Sequence, residues 1–362
     1  MRWRPSRRDI AAGFVGAIAA PIAAAHSHSF DASVGVNVAG VRRFDRVAEA
    51  IAAAPGDRPF RIFIGAGVHH EKLVIDRANV HLVGEGPASV LSYNAAAGMA
   101  RADGQAWGTW GCASVIVRAP DFSVRNLTVA NAFDYIADLA SPQFERTGSN
   151  GAQAVALMLD EGSDRALIEN VRVTGHQDTL LANAGRALFR DCYISGSVDF
   201  IFGAGCAYFE RCELQSRFRP LMQRNHGWIA VPSTVRTQAY GLVFKSCSLT
   251  REPQVPLASV ALGRPWRPAR QFADGRYGDP GALGMAAFLE CWMDDHISAD
   301  GWDEMGYPNR EGVRVFLQPT EARFGEYASE GPGAFANRRR PQLRRSAARA
   351  ISRDSVLDGW RP

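Results

Sequence analysis

The chain has 362 residues, of which 46% are hydrophobic and 22% charged, with a formal net charge of +4 at pH 7. That composition excludes a disordered, fibrous or polytopic membrane chain and leaves ample apolar material for a core. Arg2, Arg4, Arg7, Arg8 and Asp9 together supply three of those four charges, so the remaining chain is close to neutral and its charge makes no case for nucleic acid.

The first 25 residues combine a basic start with an apolar run from Ile10 to Ala25 and small residues suited to cleavage. An export signal is expected over residues 1–25, and the Arg7-Arg8 pair resembles the twin-arginine kind. No later apolar run reaches the ~20 residues needed to span a bilayer. Residues 26–362 are therefore expected to form one domain without a membrane span, secreted or periplasmic. Next along the chain, Phe44, Val47, Ala48 and Ile51 fall on one helical face before Pro55 stops the pattern. Strands are expected in "FRIFIG" (60–65) and "VHLVGEG" (80–86). The six cysteines, Cys112, Cys192, Cys206, Cys212, Cys247 and Cys291, show no C-x-x-C pairing. Zinc is not expected, nor is any other metal or cofactor.

A hidden repeat then takes over. "VRNLTV", "IENVRV", "FRDCYI", "FERCEL", "FKSCSL" and "FLECWM" share one form: apolar, two polar, apolar or Cys, one polar, apolar. Each reads as a short β run with inward residues. Their central residues are Leu127, Val171, Cys192, Cys212, Cys247 and Cys291, spaced by 44, 21, 20, 35 and 44. Twenty-one and 20 read as one coil of a solenoid, 44 as two, and 35 as one coil with an insertion. An antiparallel sandwich also has many short strands, but it has no reason to keep Phe, Cys and Leu in one phase. The expected fold is an all-β, right-handed parallel β-helix in which each coil buries its inward face on the next. The helix near residue 47 would cap its first coil, and the basic stretch 338–353 would pack outside as a tail. A solenoid capped at both ends reads most simply as a monomer.

Phase also relates two acids. Asp178 lies seven residues after Val171, and Asp199 seven after Cys192. Neighbouring parallel strands are ~4.8 Å apart, so the carboxylates should stand one above the other on the same outer face. Two such groups cannot both ionise cheaply, which leaves an acid beside a carboxylate. By the same logic Cys192 stacks on Cys212, as a disulfide or as two packed thiols. Gln177 precedes Asp178, and Gln153 lies about one coil upstream; neutral amides can donate to a developing oxyanion. Downstream, "LGRPWRP" presents Arg264, able to hold a carboxylate bidentately, and Trp266, a stacking surface for a sugar ring. Together these groups describe a carboxylate-based hydrolytic site.

"QAVAL" (153–157), "GHQDTLL" (175–181), "GSVDFIFG" (196–203) and "LGRPWRP" (262–268) resemble, in order and spacing, the signature motifs of pectin methylesterases. "NAFDYIAD", "FADGRYGDPGALG", "MDDHISADGW", "EARFGEYASEGPGA" and "VLDGWRP" are similar to the bacterial branch. The resemblance implies a β-helix enzyme that hydrolyses the C6 methyl esters of galacturonate units in pectin, releasing methanol without a metal. It implies Asp199 as nucleophile, Asp178 as general acid and then base, Gln153 and Gln177 as oxyanion donors, and Arg264 as the group that orients Asp199. It implies sugar contacts from Thr109, Val198, Phe202, Trp266 and Met305, and a disulfide between Cys192 and Cys212.

Some residues depart from the family pattern. His69 and His176 stand where tyrosine is usual, Arg267 and Ala269 where His and Thr are frequent, and an insertion surrounds "LMQRNHGWIAVPST". These bear on substrate pattern more than on chemistry. The alternatives are a non-catalytic carbohydrate-binding or envelope β-helix protein, or an esterase for another ester. A pectin lyase would want a calcium-binding acid cluster, and a polygalacturonase would want inverting carboxylates with room for water.

Overall fold

A computed structural model describes residues 30–141, 151–222 and 225–362. The export segment over residues 1–25 lies outside the described residues.

The strands stack into three long sheets of eleven, eight and seven members. Every pairing within these three sheets is parallel, whereas two small hairpins outside them are antiparallel. One coil runs through Ala166–Glu169 in the first sheet, Arg172–Thr174 in the second and Leu180–Ala182 in the third. The next runs through Arg186–Arg190, Tyr193–Gly196 and Ile201–Gly203. The expected parallel β-helix is therefore the observed architecture. Its phase is kept strictly: Ile168, Phe189, Phe209, Phe244 and Phe288 occupy one register position on successive strands. The four phenylalanine rings stack with centroids 4.6, 4.6 and 4.5 Å apart, close to the strand spacing itself.

Each six-residue repeat departs from the expected single β run. It is a corner between the first and second sheets, bent at its third residue. Asn126, Asn170, Asp191, Arg211, Ser246 and Glu290 all have φ between 51° and 54°, the left-handed conformation that turns the chain in one step. The apolar or Cys residue that follows then faces the core. Cys192, Cys212, Cys247 and Cys291 form a buried column at this corner.

The disulfide expected between Cys192 and Cys212 is absent, since both are free thiols. Parallel strands in register carry their Cβ bonds side by side at the strand spacing, whereas a disulfide draws Cβ atoms to about 3.8 Å. Each thiol instead donates to backbone carbonyls: Cys192 to those of Ile168 and Arg190, Cys212 to those of Phe189 and Glu210.

The first coil is capped by the helix Val47–Ala52, which buries Val47, Ala50 and Ile51. Phe44, expected in this helix, instead ends the strand Arg42–Phe44. The N-cap Arg46 has no side-chain acceptor, so Glu71 caps the helix from outside, accepting from the amides of Val47 and Ala48 at 2.8 and 3.1 Å. At the other end the tail packs as expected. Helices Arg345–Ala350 and Arg353–Val356 bring Ala348, Val356 and Leu357 against Leu167, Leu188, Tyr208 and Val243 on the outer face of the first sheet.

Candidate active site

The second and third sheets are joined in successive coils by two nested turns, residues 175–179 and 197–200. Ser197 donates its amide to the carbonyl of His176, and Asp178 donates its own to that of Val198. Leu180 pairs with Ile201, so Thr179 stacks on Phe200 facing inward and Asp178 stacks on Asp199 facing out. Gly196 is required here: a Cβ would lie 2.2 Å from Cβ of Phe200. The acids lie one coil apart, as their spacing of twenty-one predicts.

Their surroundings differ. Arg264 follows the strand Val260–Gly263, which is two strands beyond Ile201–Gly203 in the third sheet. Its side chain reaches back over the intervening strand Gly227–Pro232, lying 3.8 Å from the ring centre of Trp228. It then donates from Nε to Oδ1 of Asp199 at 2.9 Å and from Nη2 to Oδ2 at 2.7 Å. A fork that donates to both oxygens matches an ionised carboxylate. Trp228 is itself held by a hydrogen bond from Nε1 to Asp303 at 2.9 Å. Among the described residues Asp178 has no such partner, although both acids are equally buried, at 8% exposure each. Burial first, and the charge of Asp199 second, raise its pKa well above the ordinary 3.8, against a smaller opposing effect of Arg264. One acid is therefore built to carry a proton, beside another held by a cation.

Gln153 lies one coil before Asp178: the amide of Ala154 donates to the carbonyl of Gln177. It is buried, and its Oε1 has no hydrogen-bond partner among the described residues. Gln153, Gln177, Asp178, Asp199 and Arg264 all line one cleft of about 710 Å³. Thr109, Phe202, Trp266 and Met305 line it too. Val198 is not among the lining residues: it is buried, and its carbonyl accepts from the amide of Asp178. Trp266 lies between Trp110 and Phe202, with ring centres 6.1 and 5.7 Å away. Among the described residues no group of three or more His, Cys, Asp or Glu is placed to hold a metal ion.

Sequence reasoning missed Trp228 and Asp303, which support Arg264, and Trp110, Tyr307, Arg276 and Arg314 in the cleft wall. The last three come from hairpins outside the coils, where phase gives no information. His176, noted only as a departure, is buried and stacks on Tyr135 at 4.9 Å. Burial, followed by Arg217 and Arg219, lowers its pKa to about 3, so it packs as a neutral ring.

The sequence model of the Pectinesterase family matches residues 33–345. Pectinesterase A of Dickeya dadantii (strain 3937) is 41% identical over 339 residues, 92% of either chain. The structure of pectin methylesterase PemA from Erwinia chrysanthemi superposes with a TM-score of 0.88 and 41% identity, covering 92% of this chain and 98% of that one. A pectin methylesterase mutant in complex with a hexasaccharide superposes with a TM-score of 0.87 at 40% identity, over 92% and 98%.

Proposed function

Because the chain belongs to the pectinesterase family, we propose that it hydrolyses the methyl esters of galacturonate units in pectin with Asp199 as nucleophile and Asp178 as general acid and base. The observation that carries this reading is the asymmetry of the stacked pair: Arg264 grips both oxygens of Asp199, while Asp178 has no cation fork and burial favours its protonated form.

A carboxylate oxygen of Asp199 attacks the ester carbonyl carbon, and the carbonyl electron pair moves onto oxygen. Gln153 and Gln177 donate amide N–H groups to that oxyanion. As it collapses, the C–O bond to methoxide breaks and Asp178 delivers its proton, so methanol leaves. The result is an acyl-enzyme through Asp199 and an ionised Asp178. Asp178 then removes a proton from water as the water attacks the same carbonyl carbon. Collapse of this second intermediate breaks the bond to Asp199, frees the galacturonate unit as its carboxylic acid, and leaves Asp178 protonated and Asp199 ionised as at the start. The net reaction is ester plus water to carboxylic acid plus methanol. Thr109, Phe202, Trp266 and Met305 are read as the contacts to the sugar chain, with the Trp266 face as its stacking surface; their position in the cleft lining supports this.

Methanol release from highly methylated pectin, assayed with and without a chelator, tests the reading directly. Asp199→Ala is expected to remove activity while leaving the fold intact, and retention of more than a few per cent would refute the nucleophile assignment. Residues 1–25 are read as an export leader and residues 26–362 as one catalytic domain acting as a monomer; no described helix is long and apolar enough to cross a membrane. An exported chain that begins at His26 and elutes at its monomer mass is the expected result.

A further inference from the structure

The turn that carries Gln177 and Asp178 gives up one bond of the ladder it grows from. The strand Arg172–Thr174 pairs regularly with Tyr193–Gly196, Thr174 lying opposite Ser195. The amide of Tyr193 donates to the carbonyl of Val171, and that of Gly175 to the carbonyl of Ser195. Continued in steps of two residues, the same ladder would send the amide of Ser197 to the carbonyl of Gly175. It goes instead to the carbonyl of His176 at 2.8 Å, one residue into the turn. Gly175 is buried, and a buried carbonyl displaced from its ladder needs another donor.

A residue two coils further on supplies that donor. Arg217 follows the strand Glu213–Ser216. Its amide continues the ladder regularly, donating to the carbonyl of Gly196 at 2.7 Å. Its side chain reaches back one coil more and donates from Nη1 to the carbonyl of Gly175 at 2.9 Å. Glu252, which follows the strand Ser248–Arg251, aims the guanidinium: its Oε1 accepts from Nε of Arg217 at 3.3 Å, and its Oε2 from the amide of Phe218 at 2.7 Å. The amide of Glu252 in turn donates to the carbonyl of Ser216 at 2.9 Å. Neither Arg217 nor Glu252 lines the cleft, and the chemistry proposed above uses neither.

Arg217 thus grips the entrance of both turns, by its backbone the one that leads to Asp199 and by its side chain the one that leads to Gln177 and Asp178. We propose that Arg217, oriented by Glu252, is a positioning residue that holds Gln177 and Asp178 in register over Asp199. This rests on the esterase reading of the cleft and adds to it a pair of residues outside the cleft lining. A displacement of about 1 Å in a reacting group can cost about 100-fold in rate. Loss of the clamp should therefore appear in turnover, while binding of the sugar chain in the ground state stays as it was.

Methanol-release kinetics and amide hydrogen exchange on the full chain test the clamp together. Arg217→Ala is expected to lower kcat about 30-fold with KM changed by less than about twofold. Arg217→Lys keeps a donor for Gly175 but loses the planar fork, and should recover kcat to within about fivefold of the parent. Glu252→Gln keeps an acceptor for the amide of Phe218 but not the ionised partner, and should lower kcat about fivefold with KM again unchanged. In Arg217→Ala and Glu252→Gln, peptides covering residues 174–180 should exchange faster, while those covering 286–293 keep the parent rate. A parental kcat in the folded fraction, a rise in KM without a fall in kcat, or faster exchange spread over the whole chain overturns the positioning role. Wild-type protein that releases no methanol from any methylated pectin overturns the esterase reading instead, and exchange over 174–180 still decides whether Arg217 holds the turn. If Arg217→Ala does not fold, the isosteric Glu252→Gln is read in its place by the same two measurements.

Discussion

Asp178 and Asp199 share a backbone conformation that most side chains avoid, with φ of 61° and 52°. Aspartate and asparagine tolerate it better than other residues with a Cβ, so the turn that aims each carboxylate also restricts what can replace it. This makes asparagine the informative substitution. In the parent the Asp178 pKa is raised by burial and by Asp199, so its contribution to stability is fully present below the unfolded value. As pH rises past 3.8 the unfolded chain releases its proton first, and folding loses free energy until the buried acid ionises too. Asp178→Asn is therefore expected to melt higher than the parent at neutral pH, with the gap closing near pH 4, in calorimetric scans across pH. The same variant should lose at least about 100-fold in methanol release. In the parent, kcat/KM should fall on the alkaline side as Asp178 loses the proton it must deliver. A pH profile without that limb would remove Asp178 as the acid. The stacking of the two acids was legible in the sequence because they share a phase, but that phase did not assign their roles, which came only from the family resemblance. The distinction depends on Arg264, whose reach across Trp228 no local pattern encodes.

The repeated element is a corner, and its six left-handed residues carry no common side chain: Asn, Asn, Asp, Arg, Ser and Glu occupy the position. This is why the repeat looked like one strand. Its apolar residues keep a strand-like order, whereas the bend sits on a polar position whose identity varies. Ser246 is exposed, with φ of 54° and no side-chain hydrogen bond among those described. It gives a clean test. Ser246→Gly should stabilise by up to about 1 kcal/mol through relief of the strained φ, and Ser246→Val should destabilise by about 1–2 kcal/mol. Chemical denaturation midpoints measure both, and equal midpoints would remove the strain from the account. The helix boundary at Val47 escaped the sequence for a similar reason. Its cap, Glu71, lies 24 residues further along the chain, and Phe44 was drawn into the first sheet by pairing with Val34.

At the scale of the whole molecule, the far end is closed by an ion pair in the interior. Arg340 and Glu326 are 0% and 2% exposed. Arg340 also donates to the carbonyl of Gly333 at 2.7 Å, and Trp302 to Glu326 at 3.2 Å. Removing one partner strands the other charge in the core, so Arg340→Ala is expected to cost about 3–5 kcal/mol in urea unfolding. The folded fraction should keep its turnover, because the pair lies outside the cleft; a matching loss of kcat would show that the end coils set the site's geometry. The basic tail was legible as an external element, but its internal anchor was not, since an arginine in a run of arginines reads as surface. The strand order has a further consequence, because it makes the cleft a ruler graduated in coils. Gln153, Asp178 and Asp199 sit on consecutive rungs, and Arg264 closes the measure from two rungs further on. Coils could be gained or lost before Gln153 or beyond Asp303, which holds Trp228, and leave the chemistry untouched. The rung that carries Trp228 is the spacer that sets the span, and a chain shortened by that one coil would keep every active-site residue and still lose the distance between them.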